Sequence, residues 1–255
     1  MAKTFINLLF LFIPVALLAQ LTVKPSEKGQ ENYLYSRGNL LYVGQHVNLQ
    51  KNPAGSEAEA SIYLREEAQL IQGATGSSKN TGNGTISVFQ EGSSNAYDYD
   101  YWASPVGNEA AGNGLFGIQM LYFPVNQIKS LNAQIITALD GIAKPLSISS
   151  RWIYTFSGTK YSDWNYIGDQ TAIPAGYGFT MKGVNGIDPI LVDQRQNNPG
   201  NSQRYDFRGK PNDGIITIPI LEGQSVLVGN PYPSALDLSK FLLENSGSGT
   251  LTSEC

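Results

Sequence analysis

From Tyr97 onward the chain is cut into short runs, YDYDYWASPVG, LFGIQMLYFPV, SRWIYTFSG, SDWNYIG, AGYGFTMKG, QRYDFRG, GIITIPI and QSVLVGN, each apolar or aromatic and flanked by Gly, Pro, Asn or Asp. Such pieces are long enough for strands and too short for globular helices, and their flanks are turn formers. With 27 Gly, 14 Tyr and 10 Phe in 255 residues, the composition points the same way. The fold class expected is mainly β.

Before Tyr97 the texture is different. LYVGQHVNLQ from Leu41 and IYLREEAQLI from Ile62 align at an offset of 21, with apolar classes matching at Leu41/Ile62, Tyr42/Tyr63, Val43/Leu64, Val47/Ala68 and Leu49/Leu70. A third run, GTISVFQEG from Gly84, follows a Gly/Ser/Asn-rich stretch. Strand-sized units with internal similarity are the mark of stacked β-rungs, and alternation at Val47, Leu49 and at Ile86, Val88 turns one face inward. The alternative is a plain meander of hairpins. The organisation expected is a signal peptide over 1–19, a solenoid-like β-rung region over 20–95, and a β-sandwich-like module with a short C-terminal helix over 96–255.

The leader reading rests on MAKTFINLLFLFIPVALLAQ, in which Lys3 precedes an apolar run from Phe5 to Leu18, with cleavage expected after Ala19. That run falls short of the roughly 20 residues a membrane span needs, and Pro14 interrupts it. No transmembrane span is expected after cleavage. The single Cys, Cys255, allows neither an internal disulfide nor a cysteine metal site. A net charge of -4 with only 15% charged residues lacks the basic footprint of nucleic-acid binding. No nucleic acid and no cofactor are expected.

Two stretches read as helix: NQIKSLNAQIITALDG weakly, and SALDLSKFLLEN with Leu238, Phe241, Leu242 and Asn245 on one face. Between QSVLV and the latter lies GNPYPSALD. Asn230 and Tyr232 precede prolines and are held extended, and Ser234 with Asp237 resembles a capping box. The block reads as a joint between strand and helix, with Tyr232-Pro233 a candidate cis bond. PNDGIITIPI reads as a turn at Asp213-Gly214 feeding a strand that Pro219 weakens.

The candidate sites are few. His46 is the only His, so it cannot build a multi-histidine metal site. Asp98 and Asp100 alternate with Tyr97, Tyr99 and Tyr101, so a strand sets both acids on one face, either as a solvated edge or as a calcium or acid/base pair. Trp102, Trp152 and Trp164, with Tyr101, Tyr154 and Tyr166 beside them, are either core or an aromatic platform for sugar rings. Asp163-Trp164-Asn165 reads as a turn that exposes its ring.

Taken in order, YDYDYWASPVG, RWIYTFSG with DWNYIG, IPAGYGFTMKG, YDFRGKPNDGIITIPI and LVGNPYPSALDLSKFLLEN resemble a module of large exported surface proteins of Bacteroidetes, chiefly flavobacteria. The resemblance implies export to the cell surface or medium, commonly by type IX secretion with a C-terminal sorting domain. No such sorting domain is visible in NSGSGTLTSEC, which makes a truncated copy, or retention in the periplasm, an alternative. The function expected is structural, adhesive or binding, with surface glycans or matrix proteins as partners and no catalytic residue assigned. The alternative is a carbohydrate-active hydrolase using acids such as Asp98 and Asp100.

Overall fold

The computed structural model describes residues 20–73, 76–108 and 112–245; the expected leader and the tail after Asn245 lie outside them. The first part is a ladder of parallel rungs. Its strands are β1 (Leu21–Val23), β2 (Leu34–Arg37), β3 (Leu40–Val43), β4 (Val47–Leu49), β5 (Ile62–Arg65), β6 (Gln69–Gln72) and β7 (Ile86–Glu91). β1 pairs with β4, β2 with β5 and β5 with β7, and β3 with β6, all parallel. Inward-facing Val47, Leu49, Ile62, Leu64, Leu70, Ile86 and Val88 stack into one buried column. β-branched and leucine side chains on a pleated surface favour that stacking.

The rung length differs from the sequence expectation. Leu41 lies opposite Leu70, and Ile62 opposite Leu34, so Leu41 and Ile62 are not equivalents. A 21-residue offset matches a third strand of one rung to the second strand of the next, and both carry the same inward alternation.

Gly82 shows how tightly the third rung closes: its φ is +81°, and a Cβ there would stand 1.9 Å from the Leu49 carbonyl oxygen. Only glycine meets both demands.

One sheet continues beyond residue 95. β7 pairs antiparallel with the strand Arg204–Pro211, which pairs in turn with Leu121–Pro124. Tyr205 and Phe207 enter the same core as the ladder residues. On the other face of that strand stand Arg204, Asp206 and Arg208, all buried. Asp206 accepts from Ser87 and Ser130, each at 2.6 Å, and from Arg208 Nε at 2.7 Å. Arg65, beside it, donates to the Ser87 hydroxyl and lies 3.4 Å from the Phe89 ring centroid. Burial pulls the Arg65 guanidinium down from its ordinary value to about 10.

The remainder is a set of short sheets, none closed into a barrel, including β8 (Tyr99–Ala103) paired with Gly178–Lys182. The molecule is thus mainly β, and α1 (Leu238–Asn245) is the one α-helix among the described residues.

Four local expectations are corrected. The stretch 126–141 forms strands Ser130–Asn132 and Gln134–Ile136 in place of a helix. Asn126 Oδ1 takes the N–H groups of Ile128 and Lys129, which closes a turn, and Ile135, Ile136 and Thr137 are β-branched. GIITIPI lies outside every strand: Gly214 makes a single bridge to Ser77, while Ile216 and Ile218 rest against Gly176. The helix cap is Asp237, whose carboxylate accepts from Lys240 N at 3.0 Å; Ser234 is three residues too early, and Tyr232-Pro233 is trans.

The GNPYPSALD block does more than join. Leu70 N–H donates to Pro233 O at 2.8 Å, and Ala235 N–H donates to Gln69 Oε1 at 2.9 Å, so the block lies on the edge of β6 that β3 leaves open. Asn230 braces it from within, accepting from Tyr232 N and donating to Ser234 O.

Candidate functional site: an aromatic strip on a surface hairpin

Strands Tyr154–Gly158 and Trp164–Tyr166 form an antiparallel hairpin in which Tyr154 faces Tyr166 and Phe156 faces Trp164. Alternation puts all four rings on one side of it. The pairs meet at centroid distances of 5.3 Å and 5.0 Å, tilted by 57° and 54°. Trp152, in the 3-10 turn Ser150–Trp152 that leads into the hairpin, extends the row, and Tyr99 of β8 meets its edge at 6.1 Å. The result is a strip of six rings, most of them half-buried.

The strip is held from behind. Thr180 Oγ1 donates to the Trp152 carbonyl at 2.8 Å and accepts from Tyr154 N, which pins the turn to strand Gly178–Lys182. The Trp152 indole N–H donates to Leu139 O at 2.6 Å. Lys182 Nζ stands 4.1 Å from the Trp152 centroid and 5.1 Å from that of Tyr99, a cation over two electron-rich faces. At the far end, Asp163 closes the turn by accepting from the Thr159 and Lys160 N–H groups at 2.7 and 2.8 Å. Those two bonds hold its carboxyl below the usual carboxylate value. Gly158 is required beside it, since a Cβ there would come within 2.3 Å of Asp163.

Between Thr137, Ser150, Arg151, Trp152, Tyr154 and Tyr166 lies an open recess of about 410 Å³. Apolar ring faces bordered by hydroxyls and one guanidinium suit a ligand with both C–H faces and hydroxyl edges.

The three tryptophans singled out from sequence therefore separate. Trp152 and Trp164 sit at two places along one strip. Trp102 is 9% exposed and packs against Tyr205 and Phe207 at 5.5 and 5.6 Å. Asp98 is exposed, whereas Asp100 is occupied by the Ser93 and Ser94 hydroxyls at 3.1 and 2.7 Å. They are not a matched pair on one strand, because β8 begins at Tyr99. His46 is half-buried just ahead of β4, and its carbonyl accepts from Leu21 N. Among the described residues no three His, Cys, Asp or Glu side chains are grouped to hold a metal ion.

Sequence reasoning missed Phe156, Tyr99 and Lys182 as members of the site; Phe156 follows from its i+2 spacing to Tyr154. The Tyr97/Tyr99/Tyr101 alternation was the signal for Tyr99; Lys182 gave none, since only the β8 pairing brings it to Tyr99.

No curated protein and no solved structure matches the chain. A family model described as Domain of unknown function (DUF8693) matches residues 19–253, and the chain belongs to that family.

Proposed function

We propose that this is a non-catalytic glycan-binding protein of the bacterial cell surface or medium, exported through its N-terminal leader. The observation that carries the reading is the strip of rings from Tyr99 to Trp164, presented on a hairpin with a polar-edged recess beside it. Aromatic faces with hydroxyl and guanidinium edges bind the C–H faces and hydroxyls of sugars. The export reading is supported by Lys3 and the apolar run Phe5–Leu18.

The test is retention of the chain from Gln20 onward on an array of polysaccharides, with matrix proteins as the competing partner class. Replacement of Trp152 and Tyr166 together by Ala is expected to weaken retention on the responding glycan by tenfold or more, about 1.4 kcal/mol. Binding that is untouched by the double change, or confined to matrix proteins, would sink the proposal.

A further inference from the structure

The ladder closes at one end and stays open at the other. At the C-terminal end, Pro233 and Ala235 cover β6, and strand Arg204–Pro211 pairs with β7. At the N-terminal end, β1, β2 and β3 are each the last strand of their sheet, and among the described residues no strand pairs with their outer edges. Leu34 and Gly38 donate their N–H groups to the Ser61 and Arg65 carbonyls of the second rung. Alternate residues of a parallel strand face opposite edges, so the backbone groups of Tyr35 and Arg37 point away from the ladder.

The apolar column is unfinished at the same end. Leu21, Leu34 and Leu41 are half-buried, whereas the residues opposite them in the second rung, Val47, Ile62 and Leu70, are fully buried. Val23 and Val43 are buried, so the opening lies at the three leucines. A stack of repeats needs a polar cap on its terminal unit, and bare edges are usually guarded by Pro, bulges or inward charges. The strands LTV, LYSR and LLYV contain no Pro and no inward charge, and they pair without a register shift.

Two features select a second copy of this chain as the cover. The far end of the ladder is blocked, so copies cannot stack head to tail, and the matching surface that remains is another first rung. That edge is also complementary to itself. Turned about a two-fold axis, β2 meets β2 antiparallel with Ser36 opposite Ser36, and Tyr35 of each copy exchanges both backbone hydrogen bonds with Arg37 of the other. Over residues 20–43 two acids, Glu27 and Glu31, stand against three bases, Lys24, Lys28 and Arg37, and Arg37 is already paired with Glu66. Two such edges therefore meet without strong repulsion.

We propose that the protein forms a two-fold dimer through its first rung, β2 against β2 in antiparallel register about Ser36, with Leu21, Leu34 and Leu41 of both copies closing one continuous column. The joint takes no residue from the aromatic strip, so the dimer presents two strips to a multivalent ligand.

Sedimentation of the chain from Gln20 onward tests this. Strands of three, four and four residues make a small joint, so the mass is expected to rise from one chain to two across the micromolar range and to reach two by about 100 µM. Tyr35→Lys sets a like charge opposite Arg37 twice in each dimer and is expected to weaken association about tenfold. Tyr35 is exposed, so the fold is expected to survive the change, which dichroism verifies. Oxidation reads the register. In a Cys255→Ser background, Ser36→Cys is expected to cross-link two chains, because Cα atoms opposite each other in a non-hydrogen-bonded pair lie about 4.5 Å apart, within disulfide reach; Tyr35→Cys is expected not to. The proposal is overturned by a single-chain mass at about 1 mM, by assemblies larger than two chains, by a dimer indifferent to Tyr35→Lys, or by equal cross-linking from positions 35 and 36.

Discussion

Tyr205 and Asp206 are consecutive on one strand and face opposite ways, the first into apolar core and the second into a nest of hydroxyls and guanidinium. Burial, with a smaller push from Asp100, raises the Tyr205 phenol far above its usual value, and the hydroxyl is buried without a partner. The folded state therefore keeps a proton that the unfolded state releases. Stability from this group is complete below about pH 10 and is lost as pH climbs toward the folded value. Arg65 acts in the opposite sense: burial of its cation costs stability, and that cost is relieved as pH rises above about 10. Tyr205→Phe is predicted to change stability at pH 7 by less than about 1 kcal/mol and to move the alkaline unfolding midpoint upward. Denaturant curves at pH 7 and at alkaline pH check both; an unshifted alkaline midpoint refutes the assignment to Tyr205. Asp206→Ala is predicted to cost about 3–5 kcal/mol at pH 7, because it removes the buried acceptor of Ser87, Ser130 and Arg208 Nε and leaves Arg208 with Glu59 as its remaining acid; a loss under about 1 kcal/mol in urea unfolding contradicts the network as drawn.

At the scale of elements, the hairpin depends on its turn. Asp163→Ala removes the acceptor for two backbone N–H groups and is predicted to loosen the strip without unfolding the ladder. Because the folded Asp163 value is depressed, its contribution is present above the ordinary carboxylate value and fades as pH falls through the folded one. Hydrogen exchange at Thr159 and Lys160 should accelerate in the variant at pH 7, and equal rates would disprove the turn's role. This hairpin was legible in outline, since RWIYTFSG and SDWNYIG announce two strands with a polar turn between them, but the turn expected at Asp163-Trp164-Asn165 ends at Asp163: Trp164 opens the second strand with its ring half-buried against Phe156. The ladder was legible in kind and misread in register: inward alternation says only which residues face in, and Leu41 fits Leu70 as well as it fits Ile62. The segment 126–141 was misread because apolar spacing hid the turn that its own first residue, Asn126, closes on Ile128 and Lys129, and GIITIPI because Ile216 and Ile218 settle against Gly176, which lies outside the local pattern.

For the molecule as a whole, the continuous sheet from β2 to Leu121–Pro124 ties the ladder to all that follows it. Unfolding is therefore predicted to be one transition, with tryptophan fluorescence and far-ultraviolet dichroism superimposed; two separated transitions would show that the residues before and after 95 melt independently. The free edge of β6 is covered by Pro233 and Ala235, and Ala235 lies 166 residues along the chain from Gln69. That distance is also a delay. Chains are made from the N-terminus, so the rungs exist before the piece that covers β6, and a bare parallel edge is a template for another chain. The interval between the arrival of Gln69 and that of Pro233 is when this protein is most exposed to joining with its own copies.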